Sequence, residues 1–225
     1  MKIRAFLPLL LAIGSAQGAI VWTGATDSNF FTATNWDFSG STFSAANFTT
    51  ANTITDSLVI SGATGISLGS TLTLGDGVTL SLTNSSLTTT GAVGINGTND
   101  AGDAFSYISL SGSSTLSSQF VAVGLDVTVG NGSSLVLRGT GDPVNSQTEA
   151  TRVTLLPGGS LTFANATEYI EHIAEIFNAS SGNSLATAPG DFSPASGATI
   201  TAVPEPAALS LGALGLFTLI RRRRA

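Results

Sequence analysis

Leu72-Thr73-Leu74-Gly75-Asp76-Gly77-Val78-Thr79-Leu80-Ser81-Leu82 decides the fold. Apolar and hydroxylated residues alternate on both sides of a Gly-Asp-Gly turn. Alternation with period two places one set of side chains on one face of a strand. The glycines supply the positive φ that a sharp change of direction needs, and Asp tolerates the same conformation. The unit is therefore apolar-x-apolar, Gly-polar-Gly, a short gap, apolar-x-apolar.

The unit recurs from residue 58 to residue 163. Leu58-Val59-Ile60, Ile66-Ser67-Leu68, Tyr107-Ile108-Ser109-Leu110, Val127-Thr128-Val129, Leu135-Val136-Leu137, Val153-Thr154-Leu155 and Leu161-Thr162-Phe163 all alternate. The turns recur as Ser111-Gly112-Ser113, Gly130-Asn131-Gly132 and Pro157-Gly158-Gly159. Short runs bounded by Gly, Ser, Asn and Asp read as strands. Two architectures bury such a pattern. One is a right-handed parallel β-helix, in which each coil adds short strands and stacks on the last. The other is an antiparallel β-sandwich with hairpins at the glycine turns. Very short strands, loose periodicity and Ser/Thr at stacking positions favour the solenoid, although the coil length is not constant.

Composition narrows the chemistry. Charged residues make up 10% of the 225, and there is no cysteine. Disulfides, thiolate metal sites and cysteine nucleophiles are excluded. Between residues 19 and 203 only Arg138 and Arg152 stand against thirteen acids. Such a body cannot neutralise phosphates, so no nucleic-acid partner is expected.

Residues 1–18 read as a secretory signal peptide. Lys2 and Arg4 precede an apolar run, and Ala16 and Gly18 are the small residues of a cleavage site, with the cut between Gly18 and Ala19. The mature body, 19–203, opens with Trp22 and Trp36, read as an aromatic cap on one end of the core, with a sugar-binding platform as the alternative. Two polar stretches interrupt the strands, 96–103 and 139–151. Their oxygen side chains are of the kind Ca²⁺ prefers, but they lack a Ca²⁺-loop spacing and read as solvated loops. Residues 165–178 change period. Ile170, Ile173 and Phe177 share a helical face, and Asn165 with Glu168 resembles a capping box. One short amphipathic helix is expected there. Glu168, His172 and Glu175 would share its other face, a set that reads as solvated pairing sooner than as a metal site.

His172 is the only histidine. No nucleophile elbow, Walker loop or dinucleotide fingerprint occurs, and a glycosidase would need a carboxylate pair across a cleft. No catalytic residue, metal ligand or cofactor is assigned, and no enzymatic activity is expected. Six Asn-x-Ser/Thr sequons, beginning at Asn47, Asn84, Asn96, Asn131, Asn165 and Asn178, matter only where the cell glycosylates exported proteins.

The end of the chain is foreign to this body. Val203-Pro204-Glu205-Pro206 leads into an apolar stretch, 207–220, and then Arg221, Arg222, Arg223 and Arg224. As a transmembrane helix the stretch would be about 21 Å long at 1.5 Å per residue, short of a ~30 Å hydrocarbon core. The arginines would stop transfer and stay cytoplasmic.

Two stretches carry family resemblances. The Trp22-Thr23-Gly24 opening, followed by Asn35-Trp36, resembles that of bacterial surface proteins with autotransporter-like β-strand repeats. The tail 204–225, with Val203 ahead of it, resembles the PEP-CTERM sorting domain, because the Pro-Glu-Pro motif, the apolar stretch and the arginine run occur in that order. The resemblance implies Sec-dependent export, removal of the leader by signal peptidase, and a transient inner-membrane anchor. It further implies cleavage near Pro204-Glu205-Pro206 by an exosortase and release to the cell surface or an exopolysaccharide matrix. The expected protein is a non-enzymatic structural or adhesive component of that surface. The alternative is a secreted carbohydrate-binding or polysaccharide-degrading β-helix.

Overall fold

The computed structural model describes residues 18–98, 105–145, 151–193 and 198–203. Two strands, β1 (Ala19–Trp22) and β2 (Trp36–Asp37), precede the first complete coil. That coil contains β3 (Ser57–Ser61), β4 (Ile66–Leu68) and β5 (Leu72–Thr73). The second contains β6 (Thr79–Thr83), β7 (Ser86–Thr89) and β8 (Ile95–Asn96). The third contains β9 (Ser106–Ser111), β10 (Thr115–Ser118) and β11 (Val121–Ala122). The fourth contains β12 (Leu125–Val129), β13 (Ser134–Leu137) and β14 (Val144–Asn145). The fifth begins with β15 (Arg152–Leu155) and β16 (Ser160–Thr162), and a helix, α1 (Ala166–Glu171), replaces its third strand. Then β17 (Ile176–Asn178), β18 (Phe192–Ser193) and β19 (Thr199–Ala202) close the stack.

These strands form three sheets running along the stack. The first has the order β17-β15-β12-β9-β6-β3-β1-β2, the second β18-β19-β16-β13-β10-β7-β4, and the third β14-β11-β8-β5. Coil-to-coil pairing is parallel throughout, as between β6 and β9 or β10 and β13. The body is thus a β-solenoid of about five coils, and the antiparallel sandwich is excluded. Antiparallel strand pairs, β1 with β2, β16 with β19 and β18 with β19, stand at the two ends. They cover sheet edges that would otherwise template pairing with another chain.

Register explains both the core and the uneven repeat. Ile20, Leu58, Leu80, Ile108, Val127, Val153 and Ile176 stack in one inward column. Ile66, Leu87, Leu116, Leu135, Leu161 and Ile200 form another on the second sheet. All of these side chains are buried. Burying one of them fully is worth about 1.5–3 kcal/mol. From Leu58 onward the first column advances by 22, 28, 19, 26 and 23 residues. The two longest coils contain the polar stretches 96–103 and 139–151. The second stretch is not wholly the loop expected, since Val144–Asn145 within it is the strand β14 with Val144 buried, and the first-sheet ladder resumes in phase after both stretches.

At the corner between β9 and β10, Gly112 has φ +68°, and a Cβ there would lie 2.3 Å from Asn84 Oδ1 on the coil below. Glycine is required both by conformation and by space. Inside the same corner Ser85, Ser114 and Ser133 are buried. The Ser85 amide donates to Ser114 Oγ at 3.2 Å and the Ser114 amide to Ser133 Oγ at 3.3 Å. Backbone groups turned away from a ladder thereby keep partners.

Residues 165–178 correct the sequence reading. The Asn165 cap forms, accepting from the amides of Thr167 at 2.9 Å and Glu168 at 3.1 Å. The helix ends at Glu171, however, and Ile176–Asn178 pairs with β15. Ile170 points outward at 63% exposure, while Glu168 and His172 are buried. The unpaired edge of β15 takes up the second half of the segment because a helix this short is marginal alone. The expected transmembrane segment, 207–220, lies outside the described residues, among which no helix is long and apolar enough to cross a membrane.

Candidate functional site

The feature that the sequence singles out most strongly is the junction before the Pro204-Glu205-Pro206 motif. The last described residue, Val203, is held there by both of its backbone groups. Its amide donates to the Asp191 carbonyl at 3.0 Å. Its carbonyl accepts from Asn178 Nδ2 at 3.1 Å. The same nitrogen donates to the Asp191 carbonyl at 2.7 Å, and Asn178 Oδ1 accepts from the Ser180 amide at 2.8 Å.

Asn178 reaches this position because it stands in register with Leu155 in an inward column of the first sheet. It is 1% exposed. An asparagine at the end of an apolar column is costly unless every polar atom is paired, and here the pairing fastens three segments. Asp191 completes the clasp. Its carboxylate accepts from Ser181 Oγ at 2.6 Å and Asn183 Nδ2 at 3.1 Å. Those two bonds, Ser181 first, hold its pKa below the ordinary carboxylate value. The clasp was missed in the sequence, where Asn178 reads as the end of a helix. The usable signal was the alternation in Ile176-Phe177-Asn178.

Gly18 and Ala19 lie at the other end. Ala19 is the first residue of β1 and pairs with Ser57. Pro204, Glu205, Pro206 and Arg221 to Arg224 lie outside the described residues, as do Asn99, Asp100, Asp103, Gln147 and Glu149 of the two polar stretches.

Both tryptophans are buried, Trp22 at 9% and Trp36 at 5% exposure. They meet edge to face with ring centroids 5.0 Å apart, and Trp36 lies 5.0 Å from Phe30 and 5.3 Å from Phe48. Trp36 Nε1 donates to the Phe30 carbonyl at 2.7 Å. They cap the core and do not form an open sugar platform. Asp56, also buried, ties down the loop beside them, accepting from Ser41 Oγ at 2.6 Å and from the amides of Thr42 at 2.7 Å and Phe43 at 3.2 Å. Burial opposes its ionisation, but these bonds outweigh burial, and its pKa is lowered.

Glu168, His172 and Glu175 do not share a helical face, because Glu175 lies beyond the end of α1. His172 stacks on Phe163 with rings 8° from parallel and centroids 6.0 Å apart. Its Nε2 lies 3.6 Å from Asp142 Oδ1 and its Nδ1 4.0 Å from Glu175 Oε2. The imidazole packs on Phe163, and its buried Nε2 makes no hydrogen bond to the described residues. No three acidic or histidine side chains among the described residues are arranged to hold a metal ion. In comparison with known proteins, no family model, no curated protein and no solved structure matches this chain.

Proposed function

We propose that this protein is an exported, non-enzymatic β-solenoid of the cell surface or exopolysaccharide matrix, sorted by its tail. Signal peptidase removes residues 1–18 after Sec-dependent export. The stretch 207–220 and the four arginines hold the chain in the inner membrane. An exosortase then cuts near Pro204-Glu205-Pro206. We take the coil as right-handed, following the general rule for parallel strands joined by crossovers.

One observation supports the reading above the others. Val203 is held in a hydrogen-bonded clasp, and the proline motif begins at the next residue. Pro204 and Pro206 favour an extended backbone and bar any helix from continuing out of the body. A cut there would release a body whose ends are both capped. Six inter-strand spacings separate β1 from β17, about 29 Å at ~4.8 Å each. The aromatic cap would then stand farthest from the membrane.

The test is to fractionate host cells with and without the exosortase and follow the size of the protein. The account expects a shortened form in the matrix of the parent and a full-length, membrane-bound form in the mutant. The same full-length form in both matrices would refute it.

A further inference from the structure

The outward face of the first sheet is not uniform. One column contains Val59, Ser81, Ser109, Thr128 and Thr154 in register. The column beside it contains Thr79, Tyr107, Asp126 and Arg152. Tyr107 is 38% exposed, one of the few large apolar or aromatic side chains that the described surface leaves open. Arg152 donates to Asp126 Oδ2 on the neighbouring rung. That hydrogen bond from Arg152 to Asp126 raises the arginine pKa.

Along the stack, Tyr107 to Arg152 spans two rungs, about 10 Å. The two columns are two residues apart along a strand, ~7 Å. The patch therefore offers an aromatic ring, a fixed carboxylate–guanidinium pair and a row of short hydroxyl side chains on one rigid sheet. The hydroxyls of Ser81, Ser109, Thr128 and Thr154 make no side-chain hydrogen bond to another described residue. Each is a donor and a double acceptor facing outward.

We infer that this patch, Tyr107, Asp126 and Arg152 with the Ser109–Thr128–Thr154 row, binds a neutral polysaccharide chain laid along the stack. The ring offers its face to the apolar side of a pyranose, as amphipathic aromatics do at wet interfaces. The ion pair and the hydroxyls exchange hydrogen bonds with sugar hydroxyls, and bonds to charged groups are the stronger ones. Charge selects the class of glycan. The pair is neutral as a unit, and a body with thirteen acids and two arginines between residues 19 and 203 repels polyuronates. The inference names the partner of the surface role proposed above and rests on that reading only for how the protein meets the glycan.

The test is affinity electrophoresis of the full chain in gels containing hydroxyethyl cellulose, a neutral glucan, or alginate, a polyuronate. The wild type is retarded by the glucan alone. Tyr107→Ala weakens the apparent affinity about tenfold, and Tyr107→Phe, which keeps the ring, stays within about threefold. A loss of the cooperative melt in Tyr107→Ala transfers the test to Asp126→Asn with Arg152→Gln, where the same weakening is expected. No retardation by the glucan, equal retardation by alginate, or unchanged affinity in a folded Tyr107→Ala or in the Asp126→Asn with Arg152→Gln variant overturns the inference. Lost glucan binding with normal tail processing tells against the patch alone. Intact binding with failed processing tells against the sorting reading alone.

Discussion

The side-chain nitrogen Nδ2 of Asn178 donates to the carbonyl of Val203 at 3.1 Å, joining the last inward rung of the solenoid to the residue before the proline motif. The bond ties the last described residue to the end of the stack. The next residue is Pro204, which has no amide hydrogen to continue the pairing.

Asn178→Ala should loosen that boundary. It removes both Nδ2 bonds and leaves the Val203 carbonyl without its side-chain donor. The expected loss of stability is about 1–3 kcal/mol. Amide exchange at Val203 should quicken while exchange in β9 and β12 changes little, because the end of a stack opens before its middle. Unchanged exchange at Val203 would remove the clasp from the account.

The inward and outward positions of one strand should respond differently. Leu80 stacks between Leu58 and Ile108, and Leu80→Ala should cost about 2–5 kcal/mol in urea unfolding. Ser81 faces outward from the same strand, and Ser81→Ala should stay within about 0.5 kcal/mol. Similar costs at both positions would contradict the register.

Gly112→Ala should be costly despite the small change. The residue has φ +68°, and the new methyl group would meet Asn84 Oδ1 at 2.3 Å. The strained backbone alone costs on the order of 1–3 kcal/mol. Combining it with Asn84→Gly should recover part of the loss, which thermal melting of the single and double variants would show.

Asp56 should contribute to acid sensitivity. Its folded pKa lies below the ordinary 3.8, because the bonds from Ser41, Thr42 and Phe43 outweigh burial. A depressed carboxylate contributes stability that is fully present above the unfolded value and is lost as pH falls through the folded one. The stability difference between wild type and Asp56→Asn should therefore be flat above about pH 5 and shrink below about pH 4. A difference that grows on acidification would have the wrong sign.

The repeat was legible because alternation and glycine turns are local. Leu72 to Leu82 already contains two strands and the corner between them. The coil length was not legible, since the stretches 96–103 and 139–151 add residues without disturbing the stacking of Leu80, Ile108, Val127 and Val153. Helical spacing at Ile170, Ile173 and Phe177 misled for another reason. The edge of β15 is a tertiary demand, and it converted Ile176–Asn178 to strand. Asn178 was overlooked with it, because an asparagine gains meaning only from the carbonyls that the fold brings to it. The tryptophans were placed correctly as a cap, since large aromatics near a terminus have few other ways to leave water.

The sorting claim is tested most directly by intact-mass analysis of the protein recovered from the extracellular matrix. The account predicts a chain that begins at Ala19 and ends near Pro204-Glu205-Pro206, without residues 207–225. A matrix form that still contains Arg221 to Arg224 would contradict it.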